Sequence, residues 1–237
     1  MSLFTFFRRR RATHSFAAVV LAACALIGLI DSFYLVLQYI QVLLHPGEAT
    51  PCTVNTLVSC TKTVQGTYAH YIPGIPNPML GLLWYSGLLA YGILRSLGAD
   101  ISRRGRIFTG VIVIFGLAFS YRLYAASIFE LRGVCPFCLL STTLSTLVTL
   151  AFVIDDHTYP DPVVGRITRR FVYAFQIFSA LLFVGYLPYF IISGLLLLPD
   201  PMAAITHWSM PVIAFLVVVM AAAHVLAYRA ISRRAVS

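Results

Sequence analysis

Four of the five cysteines fall into two pairs, Cys52 with Cys60 and Cys135 with Cys138. The first pair lies in a polar loop, and the second opens an apolar segment as a Cys-Pro-Phe-Cys motif. Thiol–disulfide exchange passes two electrons between sulfur pairs. Two dithiols that meet at one edge of a membrane therefore suggest an electron relay. Cys24 lies within another apolar segment and is interpreted as a small buried residue.

The composition is that of an integral membrane protein. Of 237 residues, 59% are hydrophobic and 11% are charged, whereas soluble domains are about 25% charged. Apolar runs recur at about 20 residues, the length that crosses roughly 30 Å of hydrocarbon. They predict six spans, at about 16–42, 78–95, 107–131, 135–154, 171–198 and 209–229. The first run is too long for a cleaved signal peptide and is interpreted as an anchor.

The arginines predict the orientation, because they flank the spans on one side. They are Arg8, Arg9, Arg10 and Arg11; Arg95, Arg103, Arg104 and Arg106; Arg166, Arg169 and Arg170; and Arg229, Arg233 and Arg234. The other side carries only Lys62 and Arg132. By the positive-inside rule, both termini are cytoplasmic and the loop at about 43–76 is outside. The net charge of +9 is thus a signal of topology, and no nucleic-acid partner is predicted.

This topology places both cysteine pairs on the same side. The third span runs outward from Ile107, so the turn that carries Cys135 is outside, as is the loop that carries Cys52 and Cys60. All four thiols then face an oxidising compartment, where disulfides persist.

The loop pair has a predicted local structure. Apolar residues and a threonine recur at helical spacing between Thr53 and Thr67, which predicts a short helix on the membrane surface. Such a helix would point Cys60 into the bundle. Cys52, which follows Pro51, would remain accessible from outside.

The second pair starts the fourth span. Pro136 suits the first helical turn, and the unpaired N–H groups there favour a thiolate and lower a cysteine pKa. Ser141, Thr142 and Ser145 follow Cys138 on the same helix face. They either line a polar cavity or bond back to helix carbonyls, and both alternatives stay open.

Asn77 and Pro78 enter the second span. Asn77 is predicted to be its N-cap, with Pro78 in the first turn. The side chain either caps only, or caps with its oxygen while its NH₂ donates to a ligand carbonyl.

The order of these motifs resembles the vitamin K epoxide reductase family, including its bacterial disulfide-forming members. The motifs are Cys-x7-Cys in an outer loop, an Asn-Pro helix entry, and Cys-x-x-Cys opening a fourth helix. The segment from Gly28 to Leu35 is also similar, and the resemblance covers about 15–155. It implies an all-α four-helix transmembrane bundle around a quinone of ubiquinone, menaquinone or vitamin K type. Two further C-terminal transmembrane helices lie outside the resemblance.

The predicted organisation has four parts. Residues 1–14 form a basic cytoplasmic terminus, and 15–155 form the catalytic core. A cytoplasmic linker at 156–170 and the two extra helices within 171–237 follow.

The resemblance also implies a role for each paired cysteine. Cys52 would exchange with a separate thioredoxin-like (DsbA-like) protein outside the cytoplasm, since no fused thioredoxin domain follows. Cys60 would pass the electrons to Cys135, and Cys138 would lie beside a quinone drawn from the membrane pool.

The implied quinone site consists of Cys138, Asn77, Ser141 and Thr142. Asn77 would donate to one quinone carbonyl. Thr142 stands where members of the family often carry a tyrosine, so the partner of the second carbonyl is left open.

Other functions are compatible with some of these features. Both pairs could be structural disulfides, and six spans could form a transporter, although no pair of broken helices is evident. A four-cysteine zinc site needs more closely spaced ligands, and no metal is predicted. The main product could also be reduced quinone or quinone epoxide, because the direction depends on the partner potentials.

Two further expectations concern setting and charge. Sixteen arginines against one lysine and the lack of an endoplasmic-reticulum retention signal favour a bacterial plasma membrane. Asp31 and Arg122 each lie about nine residues from the outer ends of their spans. Because charges inside a span usually pair, they are predicted to form an ion pair.

Overall fold

The computed structural model describes residues 16–65, 67–164, 174–175, 177–179, 181–200, 202, 206 and 209–233. The predicted basic terminus at 1–14 lies outside the described residues. So do Arg234 and the part of the predicted linker that carries Arg166, Arg169 and Arg170.

Seven α-helices are bounded within the described residues. They are α1 Phe16–Leu44, α2 Thr61–Gln65, α3 Asn77–Ser96, α4 Arg103–Phe129, α5 Pro136–Asp156, α6 Leu187–Leu196 and α7 Ser209–Arg233. A 3₁₀ turn, Thr67–Ala69, follows α2, and a π-helical turn, Leu181–Tyr186, precedes α6. The part of the chain that the structure describes contains no β-strand beyond isolated bridges, which confirms the predicted all-α class.

Three described helices are long and apolar enough to cross a membrane: α1, α4 and α5. They correspond to the first, third and fourth predicted spans. The second predicted span is α3, whose 20 residues are long enough to cross but include polar side chains such as Asn77 and Arg95. The helix α6 and the apolar part of α7, Met210–Val225, are shorter. The prediction that the chain crosses the membrane six times therefore remains a prediction.

The first four long helices form a bundle in which α1 packs along α3 and α5, and α4 packs along α5. Glycines permit the closest approaches, as is usual between membrane helices. A Cβ at Gly92 of α3 would come within 2.8 Å of the Ala22 amide nitrogen in α1. Gly28 of α1 lies directly against the ring of Tyr85 in α3. By contrast, α3 and α4 touch at few positions.

Two buried ion pairs close the end of the bundle that lies away from the cysteine pairs. Arg95 of α3 binds Asp155 of α5 through Nε at 2.9 Å and Nη2 at 3.0 Å. Arg106 of α4 binds Asp156 with its Nε at 3.2 Å. The ring of Tyr159 lies 4.5 Å and 3.8 Å from the two guanidinium carbons. We call this the arginine end, and its opposite the cysteine end.

The helices after α5 pack against the core. Buried His224 of α7 shares hydrogen bonds with the Tyr121 hydroxyl of α4 at 3.2 Å and with Ser179 Oγ at 2.9 Å. Near the cysteine end, Leu57 from the loop after α1 shares an apolar cluster with Ile191 of α6. The last helices thereby support the loop that carries the first cysteine pair.

Candidate active site

Cys52 and Cys60 form a disulfide in the loop between α1 and α3, residues 45–76, here called the cysteine loop. The Asn55 side-chain oxygen accepts hydrogen bonds from two following backbone amides, each at 2.8 Å. This holds the chain in a turn before Cys60. The predicted helix between residues 53 and 67 is therefore wrong over its first half, and only α2 is helical there.

A short bridge brings the two cysteine pairs together. Val58 pairs in parallel with Val134, and the bridge is closed by backbone hydrogen bonds of 2.7 and 3.1 Å. Cys60 and Cys135 follow these residues closely in the chain. Their sulfur atoms lie 3.3 Å apart, so the two cysteine pairs are in direct contact.

Cys135 is the N-cap of α5. Its Sγ accepts from the Cys138 amide at 3.4 Å, and Pro136 occupies the first turn, as the sequence predicts. Burial alone would raise the pKa of Cys135, but hydrogen bonds from the Cys138 side chain and from the backbone amides of Cys138 and Phe137 outweigh it. The pKa of Cys135 is consequently lowered from its ordinary value.

The prediction that Cys52 is accessible from outside is wrong, since only 1% of the residue is exposed. Thr50 Oγ1 lies 3.6 Å from Cys52 Sγ. The hydroxyl groups of Thr50, Thr53 and Thr61 are hydrogen-bonded to one another at 2.8 to 3.0 Å. This hydroxyl cluster links the segments on either side of the Cys52–Cys60 disulfide.

A cavity of about 970 Å³ lies among the core helices beneath the cysteine loop. Trp84, Phe115 and Phe119 contribute to its largely apolar wall. The four residues predicted to bind a cofactor all line it, namely Asn77, Cys138, Ser141 and Thr142. Cys138 therefore belongs both to the cysteine cluster and to the cavity wall.

The cavity opens sideways between α3 and α4. Leu83, Val111 and Phe115 line it and are also exposed by 75%, 62% and 68%. These side chains lie on apolar helices, on the surface that lipid covers in a membrane protein. Exposed apolar side chains therefore border the cavity on that side.

Asn77 does not cap α3 with its side chain, which corrects the sequence prediction. The N-cap position belongs to Pro76, and no side chain caps there. Instead the Asn77 Nδ2 donates to the Tyr68 carbonyl at 2.6 Å, and its Oδ1 accepts from the Tyr71 amide at 3.1 Å. Asn77 thus fixes the part of the cysteine loop that covers the cavity.

The sequence left two alternatives open for the hydroxyl groups of α5, namely that they line a cavity or that they bond back to helix carbonyls. In the structure both are found. Thr142 donates to the Cys138 carbonyl at 2.8 Å, and Ser145 donates to the Ser141 carbonyl at 2.9 Å. Ser141 and Thr142 nevertheless line the cavity. Tyr85, which sequence reasoning missed, donates to the Ser141 carbonyl at 2.9 Å. Its position eight residues after Asn77, on the same helix face, could have identified it.

The predicted ion pair between Asp31 and Arg122 is wrong. Arg122 binds Glu130 at 3.1 Å, and its guanidinium lies 5.3 Å from the Tyr68 ring centroid. The helix α1 continues for 13 residues past Asp31, whereas α4 continues for seven past Arg122. At 1.5 Å per residue, their depths differ by about 9 Å. Neither oxygen of Asp31 has a hydrogen-bond partner among the described residues.

The model of the vitamin K epoxide reductase family matches residues 19–153. The match includes all four paired cysteines and Asn77, and it stops before α6 and α7. No curated protein matches the chain.

Proposed function

The chain belongs to the vitamin K epoxide reductase family, and we propose that it is a membrane thiol–disulfide oxidoreductase. It passes electrons from a separate thioredoxin-like dithiol protein through Cys52/Cys60 and Cys135/Cys138 to a quinone. The reaction supports disulfide formation outside the cytoplasm. The observation that carries this proposal is the 3.3 Å contact between the Cys60 and Cys135 sulfur atoms, with Cys138 on the cavity wall.

Electrons enter at the loop disulfide. A thiolate of the partner attacks Cys52, a mixed disulfide forms, and Cys60 leaves with the electron pair of the broken bond. Because Cys52 is buried, the hydroxyl cluster of Thr50, Thr53 and Thr61 must separate first. The second thiol of the partner then releases Cys52, and the partner departs oxidised.

The loop dithiol next reduces the second pair. Cys60 attacks Cys135 in a Cys135–Cys138 disulfide, which frees Cys138 and forms a Cys60–Cys135 bond. Cys52 then attacks Cys60 and frees Cys135. The lowered pKa of Cys135 favours this last step, because a thiol of lower pKa leaves faster.

The residues around Cys138 suit a flat ring that carries oxygen atoms. Trp84 and Phe119 supply apolar surface. The Asn77 amide uses one N–H on the Tyr68 carbonyl and has a second N–H for a ring carbonyl. Ser141 and Thr142 lie on the same wall. Asn77, Cys138, Ser141 and Thr142 would hold the quinone, which would supply the acceptor for two electrons and two protons.

The arginines support the proposed orientation. Arg95 and Arg106 lie at the arginine end, and the positive-inside rule assigns that end to the cytoplasm. The cysteine end then faces the extracytoplasmic side of a plasma membrane, where a soluble dithiol partner has access.

The test is a coupled assay with purified protein, a reduced thioredoxin-like partner and ubiquinone or menaquinone. Cys138→Ala should abolish quinol formation. Cys52→Ala should block oxidation of the protein partner while sparing reduction by a small dithiol. Cys24→Ala, a buried cysteine far from the cluster in sequence, is the control and should keep full activity. A wild-type chain that forms no quinol would overturn the proposal, and equal loss of both activities in Cys52→Ala would overturn the order of the relay.

A further inference from the structure

Asp31 is a buried acid that the relay described above does not use. It is 4% exposed in the middle of α1, and both of its oxygens lack a hydrogen-bond partner among the described residues. An ionised carboxylate buried without a partner is costly, above all inside a membrane. The cost is much smaller when the carboxyl holds a proton, because no charge is then buried. Asp31 is therefore placed to store a proton in an apolar surrounding.

The neighbours of Asp31 on its helix face locate the carboxyl. Tyr34, three residues further along α1, packs against Phe137 with ring centroids 4.5 Å apart. Residues three apart share a helix face. Asp31 thus lies about one turn deeper than this ring contact, at the level of the α5 turn that follows Phe137 and includes Cys138. Gly28, one turn deeper, lies against the ring of Tyr85.

The titratable groups within electrostatic range of Asp31 come from the two helices that pack against α1. They are Cys135 and Cys138 at the start of α5, and Tyr85 of α3. No basic side chain forms an ion pair with Asp31 within the described parts of the chain. The unpaired carboxyl therefore lies within electrostatic range of the two thiols that change state during the relay.

We propose that Asp31 is the proton donor to Cys138 when the Cys135–Cys138 disulfide opens. The inference rests on the proposed function. The Cys60 thiolate attacks Cys135, the Cys135–Cys138 bond breaks, and a Cys60–Cys135 bond forms. Cys138 leaves with the electron pair of the broken bond, and the Asp31 proton moves to its sulfur. The carboxylate regains that proton from Cys138 when this thiol is next ionised.

The experiment follows opening of the disulfide in the full-length, fully oxidised protein, without quinone. A small dithiol is added, samples are quenched with acid and alkylated, and mass spectrometry of peptides reports free Cys138 and free Cys60 separately. Asp31→Asn keeps the size of the side chain but cannot donate an acidic proton. Asp31→Glu keeps the acid. Glu48→Gln removes an exposed carboxyl of the cysteine loop and is the matched control.

General acid catalysis is typically worth 10²–10⁴-fold, so we expect Asp31→Asn to slow the appearance of free Cys138 by about 10²-fold. Reduction of the Cys52–Cys60 disulfide should proceed at the wild-type rate, so free Cys60 should accumulate because the step that consumes it is slowed. Only the protonated carboxyl can donate. The difference between wild type and Asp31→Asn in the rate of Cys138 release should therefore be largest at low pH and should decrease as the pH rises. Asp31→Glu should retain most of the rate, and Glu48→Gln all of it.

Several results would overturn the inference. The first is a wild-type rate of Cys138 release in Asp31→Asn, and the second is equal slowing of that release in Asp31→Asn and Asp31→Glu. The third is a rate difference between the wild type and Asp31→Asn that does not depend on pH. If Asp31→Asn does not fold, Asp31→Ser replaces it under the same criteria. A wild-type chain whose Cys135–Cys138 pair never becomes oxidised would overturn the inference as well. A protein that opens this disulfide with the expected Asp31 dependence but reduces no quinone would instead refute the proposed function alone.

Discussion

The substitution Asn77→Asp distinguishes two roles of the Asn77 side chain. It either caps α3 or holds the cysteine loop in place by hydrogen bonds. As an N-cap, Asp is about as good as Asn, so a capping role predicts no loss of stability. In the structure, Nδ2 donates to the Tyr68 carbonyl at 2.6 Å, and Oδ1 accepts from the Tyr71 amide at 3.1 Å. Asn77→Asp keeps the acceptor but places a second oxygen against the Tyr68 carbonyl. Asn77→Ala loses both hydrogen bonds.

The magnitude follows from the two hydrogen bonds. Each contributes about 1 kcal/mol net, and a buried group left unpaired costs about 1–3 kcal/mol. We therefore expect Asn77→Ala to lower the free energy of unfolding by about 2 kcal/mol. Asn77→Asp should cost at least as much, because oxygen now faces oxygen at 7% exposure. For a chain of this size, the loss corresponds to a Tm lower by roughly 4–8 °C.

The assay is thermal unfolding of the purified protein in detergent. Asn55→Asp is the matched control, since the Asn55 side chain acts in the loop only as an acceptor for two backbone amides. Its Tm should stay close to that of the wild type. If Asn77→Asp were as stable as the wild type while Asn77→Ala were not, the loop-holding role of Asn77 would be refuted. The capping role would then be supported.

Three further predictions follow from the sulfur contact and the arginine end. Cys52→Ser should leave Cys60 free beside Cys135, and mild oxidation should link these two residues; peptide mapping that finds no such bond would contradict the relay. In the reduced protein, the alkylation rate of Cys135 should rise with pH and level off below about pH 8.5, the ordinary cysteine value, because a lowered pKa yields thiolate at lower pH; a plateau at or above that pH would contradict the hydrogen-bonding argument. Asp155→Ala should cost about 3–5 kcal/mol because it leaves Arg95 buried without its partner, and replacing both residues by apolar ones should recover most of the loss; two simply additive losses in unfolding experiments would count against the pair.

The meeting of the cysteine pairs at one end of the bundle could be predicted, because span lengths and arginine positions constrain where a chain crosses a membrane. The start of α5 was predictable for a local reason. A proline in the first turn and a cysteine before it are typical of a helix N-terminus, whatever packs around them. Both features depend on the local chain or on the bilayer rather than on detailed packing.

Contacts that depend on tertiary packing could not be predicted. The helical spacing in the cysteine loop favoured a longer helix, but the Asn55 turn and the bridge from Val58 to Val134 replace its first half. Asn77 precedes a proline at a helix entry, which usually indicates a cap. Its side chain instead bonds the Tyr68 carbonyl nine residues earlier, and no local pattern reports that contact.

The buried charges show why the Asp31 prediction went wrong and what the correction implies. The rule that charges within a membrane protein pair with one another holds at the arginine end, where Arg95 binds Asp155. The sequence indicated those arginines only as markers of topology. The sequence pairs Asp31 with Arg122 by their similar depth and by this pairing rule, although α1 and α4 each pack against other helices of the bundle. Two carboxylates are thus neutralised by arginines at the arginine end, whereas Asp31 has no partner among the described residues. A buried carboxylate without a partner lowers stability, and the proposed transfer of its proton to Cys138 gives this carboxyl a role in the relay.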